Sequence, residues 1–326
     1  MSLSKLNKLS KPNTDTGFGV LPNQIGERFV KKDGSFNLQK TGLPLWQRIS
    51  VYSTILQWSW FRFITMILLL YLGINVLFTC LYLFLGMNQL TGVIASSGFM
   101  KVSEVFFFST QTFTTVGYGR INPVGFSADF FASIEAMVGW MFFALVTGLL
   151  YGRFTRPQAF LKFSEKALIA PYQGGKGLMF RLVPFKTHHH LTDAKIVVNI
   201  VLLVADNGKS EYKFYELKLE RSRVDSLSMN WTVVHPIDSE SPILNFSSED
   251  MEQADLELYV QVSGFDPIFS NNVMHRTSYS FHELVWNAKF KPMYHISPNG
   301  VTTVLELDKL DDYEIIEIKE QVPVAV

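Results

Sequence analysis

Six consecutive residues, Thr114-Thr115-Val116-Gly117-Tyr118-Gly119, could hold a bare alkali cation. Glycine at 117 and 119 can enter positive φ without a Cβ penalty, so successive carbonyls can turn toward one side. A ladder of neutral backbone oxygens, with the Thr115 hydroxyl as a further layer, can replace a monovalent ion's water shell. Copies of the segment arranged around one axis would close that cage. Gly-Tyr-Gly alone also fits a tight turn in a core, so the flanking elements decide.

Other residues offer weaker chemistry. His188-His189-His190 lacks ligand spacing, because consecutive side chains point in different directions, and reads as a solvated loop. Gly174-Gly175-Lys176-Gly177 matches no phosphate loop. Neither a nucleophile nor a metal set nor a carboxylate pair stands out, so no enzyme and no cofactor is expected. Lys and Arg total 29 and Asp and Glu total 29, a formal net charge of zero that gives no case for nucleic acid. Cys80 is the single cysteine, so an intrachain disulfide is excluded.

The elements that must position the six residues belong in a bilayer. No charged side chain occurs from Phe63 to Met100 or from Ala136 to Gly152. A helix over about 61–85 is long enough to cross roughly 30 Å of hydrocarbon, and a second spans about 127–152. Between them Lys101–Phe113 is apolar but too short to cross. It predicts a re-entrant helix over 103–113, with Ser103 as N-cap and Glu104 in the first turn. Ending at Thr114, this helix would aim the negative end of its dipole at a central cavity. Lys31, Lys32, Lys40, Arg48 and Arg62 precede the first span, and Arg153, Arg156, Lys162 and Lys166 follow the second. The connecting segment holds only Lys101 and Arg120 as basic residues, so both termini are expected in the cytoplasm. The polar, basic N-terminus lacks the pattern of a cleavable signal peptide.

Leu45, Ile49, Tyr52 and Leu56 follow helical spacing, with Trp46, Trp58 and Trp60 nearby. This predicts an amphipathic helix over 45–58 on the cytoplasmic leaflet, the alternative being a soluble helix packed on its own domain. Beyond residue 157 the chain is β-rich. Segments 196–204, 211–219, 230–234, 256–262 and 302–307 read as strands, with a turn at Asp206-Asn207-Gly208. Helical spacing there is confined to 247–253 and 282–286. The expected organisation is a cytoplasmic segment 1–44, an interfacial helix 45–58, a membrane domain 59–156 and a cytoplasmic domain 157–326.

Span, re-entrant helix, Thr-Val-Gly-Tyr-Gly and second span together resemble the pore-loop potassium channels, for which this pentapeptide is the standard carbonyl filter. Arginine-rich voltage-sensor helices are absent. Val138-Gly139, Arg153-Phe154-Thr155-Arg156-Pro157, and Val234-His235-Pro236-Ile237-Asp238-Ser239-Glu240-Ser241-Pro242 follow the order of the inward rectifier family. Ala254-Asp255-Leu256-Glu257, Gly264 and Arg276-Thr277-Ser278-Tyr279 continue it. The resemblance runs from about Gln47 to Tyr294. The exit Tyr151-Gly152-Arg153-Phe154-Thr155-Arg156-Pro157-Gln158 is similar to that of the prokaryotic branch.

The resemblance implies a homotetramer in the cell membrane (the inner membrane if bacterial). Each subunit would give two transmembrane helices, a pore helix and a C-terminal all-β immunoglobulin-like sandwich. K+ would pass Thr115, Val116, Gly117 and Tyr118, with Thr114 and Gly119 completing the filter. Phe143, Thr147 and Tyr151 would line the pore and gate it, with Gly139 and Gly148 as hinges. Phe143 stands where strong rectifiers carry an acid, so polyamine and Mg2+ block should be weak; Glu135 and Glu211 are the remaining pore acids. The family's filter-bracing glutamate is Gln111 here, which puts its ion pair with an arginine in doubt. Arg48, Arg153 and Arg156 are candidates for anionic lipid, including phosphoinositides. Gly264 to Asn271, with Phe265, Asp266 and Phe269, matches the apical loop of the cytoplasmic pore. A two-span channel with a nucleotide-binding domain would need a βαβ fingerprint, which is missing. A sensor with a vestigial pore is opposed by the intact filter motif.

Overall fold

The computed structural model describes residues 6–7, 9–13, 28–206 and 209–316. The chain divides into two compact units, residues 41–156 and residues 1–40 with 157–326.

The first unit opens with two short helices rather than one. α1 (Leu45–Arg48) stops before Ser50, whose extended backbone and side chain cap α2 (Val51–Gln57) by accepting the Ser53 amide. The apolar spacing runs on through 45–58, but a serine that satisfies the orphan amides of a new helix start breaks it. α3 (Trp60–Leu85), capped by Ser59, and α5 (Phe126–Phe154) are long and apolar enough to cross a membrane. Between them α4 (Gly98–Phe113) begins earlier than expected. Ser97, not Ser103, is its N-cap and accepts the Met100 amide at 3.3 Å, while the Ser103 hydroxyl donates back to the Phe99 carbonyl. The charges at Lys101 and Glu104 suggest a later start, yet Ser97-Gly98 supplies the cap. β1 (Leu90–Thr91) pairs antiparallel with β2 (Asn122–Pro123) and draws the loops before α4 and before α5 together. Phe78 and Tyr82 of α3, Val105 and Phe108 of α4, and Ile121 form the buried centre, with Phe131 and Ile134 of α5 against it.

The second unit is a sandwich of two five-stranded sheets. Its strands are β3 (Leu161–Phe163), β4 (Ala167–Tyr172), β5 (Gly175–Pro184), β6 (Leu191–Asp206), β7 (Lys209–Glu216), β8 (Arg223–Leu227), β9 (Trp231–Ile237), β10 (Glu257–Asp266), β11 (Asn271–Ser280) and β12 (Leu284–Trp286). One sheet runs β11-β10-β6-β7 with β8 on β6; the other runs β12-β4-β5-β3 with β9 on β5. The unbroken apolar run of β6 has a simple cause, since both of its faces are covered. Ile196, Val198, Ile200 and Leu202 enter the inter-sheet core with Phe180, Leu182, Leu258, Val260 and Tyr279, while Val201 and Leu203 pack outward against Tyr212, Phe214 and Phe29. α6 (Ser248–Gln253) is closed by a capping box of Ser247 and Asp250. Residues 282–286 are not helical: a 3-10 turn at Phe281–Glu283 leads into β12, which pairs parallel to β4. The Asn207-Gly208 turn lies outside the described residues. Residues 28–36 lie on the sandwich, where Glu257 accepts the Phe29 and Val30 amides and Glu283 pairs with Arg28 and Lys32.

Candidate ion pathway

α4 carries the chain to Thr114, whose hydroxyl returns to the Thr110 carbonyl at 2.7 Å and caps the helix. Beyond it Thr115, Gly117 and Gly119 take φ of 58°, 55° and 79°, and Val116 and Tyr118 between them do not share that hand. Alternating hand along an extended stretch turns consecutive carbonyls to the same side. Thr115 is a β-branched residue in the left-handed region, a conformation costing of order 1–3 kcal/mol that persists where surroundings over-determine it. The Val116 and Gly117 amides both reach the Gln111 carbonyl, at 2.9 and 3.4 Å, which supplies that constraint. Among the described residues, the carbonyls of Thr115, Val116, Gly117 and Tyr118 accept no hydrogen bond, whereas Gly119 accepts the Asn122 side-chain amide at 2.7 Å. Backbone carbonyls are obligatory acceptors, and these four, exposed in the single chain, are open to water or to a cation.

The elements around this ladder are locked to one another by polar groups. Glu135 is fully buried in the single chain, accepting the Ser109 hydroxyl at 2.5 Å and the Tyr82 hydroxyl at 2.6 Å. Ser109 also meets Asn75. Of the two directions open to Glu135, toward the re-entrant helix or toward the cavity, the structure selects the helix. As a pore acid it is therefore replaced by a cross-link among α3, α4 and α5, which is how a carboxyl at membrane depth finds partners. Gly139 is a point of close approach: a Cβ there would collide with the Phe113 carbonyl at the end of α4. Gly148 has open space around it. Phe143, Thr147 and Tyr151 lie on an exposed face of α5.

Arg153, in the last turn of α5, donates to the carbonyls of Ile55, Leu56 and Trp58 and lies over the rings of Trp60 and Phe63. A cation thus closes the negative end of α2. Its half-buried guanidinium is engaged with these carbonyls and rings. Arg48 and Arg156 are exposed.

Comparison with known proteins fits this geometry. Residues 161–322 match the inward rectifier potassium channel C-terminal domain and residues 64–156 match the ion channel model. The inward rectifier potassium channel Kirbac3.1 of Paramagnetospirillum magnetotacticum is 33% identical over 295 residues, 90% of this chain and 98% of its own. The chain belongs to the inward rectifier potassium channel family. More distant relatives are the ATP-sensitive inward rectifier potassium channel 12 of Mus musculus, 25% identical over 82% of this chain and 67% of its own, and the inward rectifier potassium channel 18 of Homo sapiens, 24% identical over 82% and 66%.

In this inward rectifier the segment expected as the apical loop is a tight turn joining β10 to β11. Asp266 is fully buried there, with Oδ1 accepting the Ile268 and Phe269 amides at 2.8 and 3.2 Å and Oδ2 meeting His189 Nδ1 at 2.7 Å. Burial opposes its charge, but the His189 ring and the two amides more than offset this and hold the carboxyl below the usual range. The rings of Phe160 and Phe269 flank His189. His189 thus leaves the solvated-loop reading of the triplet, while His188 remains exposed. Phe265 is exposed and Gly264 packs tightly on Leu191 and Ala194. Glu211 is an exposed residue of β7, in register with Val204.

Sequence reasoning missed Tyr82, Ser109, His189 and the partners of Arg153. One signal was present: Asn75, Thr79 and Tyr82 share a helical face inside an otherwise apolar span, and all three are buried. A polar stripe in a membrane helix points toward protein.

Proposed function

We propose that four copies of this chain surround a potassium-selective pore, with both termini in the cytoplasm and K+ held by the Thr115–Tyr118 carbonyls. The observation that carries this reading is the set of four consecutive unbonded carbonyls on a backbone of alternating hand. Neutral oxygens at fixed spacing replace water around a desolvated monovalent cation. On the same reading Tyr151 forms the bundle-crossing constriction, and the neutral Phe143 makes block by polyamines weak. Anionic lipid, through Arg48 and Arg156, and the apical loop modulate opening. Kirbac3.1, by its name, is a potassium channel, and its 33% identity over 98% of its own length supports the transfer. Purified channel in liposomes should take up rubidium, barium should stop the uptake, and sodium should be excluded. Equal entry of sodium and rubidium would overturn potassium selectivity.

A further inference from the structure

The ladder is tied to α4 at its inner end by the Gln111 carbonyl, and a second tie at its outer end involves Glu104. Glu104 Oε2 accepts the amides of Ile94 and Ala95 at 3.0 and 3.2 Å. Its Oε1 pairs with Arg120 Nη2 at 3.0 Å, and Arg120 follows directly on Gly119. The same loop presses on the chain leaving the filter. A Cβ on Gly92, whose φ is +85°, would collide with the Arg120 carbonyl. Glu104 therefore joins three segments: the second turn of α4, the outer loop 92–95 and the filter exit.

Glu104 and Gln111 are seven residues apart on one helix, about 10.5 Å at 1.5 Å per residue. A rigid rod of fixed length thus holds both ends of the carbonyl ladder. An exposed ion pair alone contributes little, but a carboxylate that also accepts two backbone amides is a charge-assisted anchor.

We propose that Glu104 is a positioning residue for ion discrimination, fixing the outer end of the filter through the 92–95 amides and Arg120. This rests on the conduction reading above, which rubidium uptake and barium block of the unaltered channel test independently. The experiment compares the rubidium-to-sodium flux ratio of the full-length channel with that of Glu104→Gln, Glu104→Asp, Arg120→Gln and the double Glu104→Gln/Arg120→Gln variant. Each is first shown to assemble as the unaltered channel does.

Glu104→Gln should lower the ratio about tenfold, the size of losing one charge-assisted anchor. Arg120→Gln should lower it less, since the two amides stay held, and the double variant should match Glu104→Gln alone. An unchanged ratio in Glu104→Gln overturns the proposal. So does recovery of the ratio in the double variant, which would mean the carboxylate only neutralises Arg120. If Glu104→Gln fails to assemble, Glu104→Asp carries the test: it keeps the charge but withdraws the carboxylate by one methylene, and an unchanged ratio there overturns the proposal equally.

Discussion

His235, from the Val-His-Pro-Ile-Asp motif, is buried and hydrogen-bonded through both ring nitrogens. The Lys218 carbonyl can only accept, so Nδ1 at 2.7 Å must donate, and neutral Nε2 then accepts the Ser241 hydroxyl at 2.8 Å. Burial pushes this histidine below its ordinary value, against the pull of the Lys218 carbonyl. The sign follows from linkage: the unfolded chain takes up this proton first as pH falls, so the contribution of neutral His235 is present above about pH 6.5 and lost below it. The thermal midpoint of the sandwich should therefore drop between pH 7.5 and 5.5, and His235→Asn, which keeps a donor for Lys218, should show a shallower drop. An identical slope would assign the acid sensitivity elsewhere. At this scale the positive φ of Gly117 and Gly119 was legible because glycine placement reports backbone conformation directly. Glu135, Arg153 and His189 were not, because their partners Tyr82, Trp58 and Asp266 lie 53, 95 and 77 residues away.

Helices give the clearest contrast between what sequence pattern carries and what packing decides. Hydropathy alone places α3 and α5 to within a few residues, since lipid leaves a helix few other ways to satisfy its backbone. The start of α4 and the break between α1 and α2 depend instead on which serine captures an amide, a local competition that apolar spacing does not report. Strand β6 was legible as an apolar run; β3, β8 and β12 were not, being short and anchored by pairing with distant strands. Two glycines of α5 look equivalent in sequence and differ in the structure. Gly139 meets the Phe113 carbonyl and Gly148 meets nothing. Gly139→Ala should push α4 off α5 at an overpacking cost of about 1–3 kcal/mol, with loss of assembled, conducting channel. Gly148→Ala should assemble and conduct near the unaltered rate. Comparable flux from both variants would show that α4 and α5 do not hold the filter through this contact.

Assembly multiplies every pore-facing change. In the single chain Tyr118 is 80% exposed, Phe143 44% and Tyr151 71%, and α3 and α5 are mostly uncovered. An exposed apolar face of this extent on a membrane helix is suited to lipid or to further copies of the chain. If four chains share one axis, a charge placed at 143 appears four times around a narrow, poorly hydrated path, where like charges focus the field on a cation. In that arrangement four neutral phenylalanine rings would offer a polyamine no such attraction, so currents should show little voltage-dependent block by spermine. Phe143→Asp should introduce steep block, deepening as internal spermine is driven into the pore. Mixing the two subunits before assembly should then yield intermediate block that rises with the fraction of Phe143→Asp chains, because each added carboxylate strengthens the same site. Failure of Phe143→Asp to alter block, in channels that still conduct, would place residue 143 on the lipid face and move the pore to another face of α5.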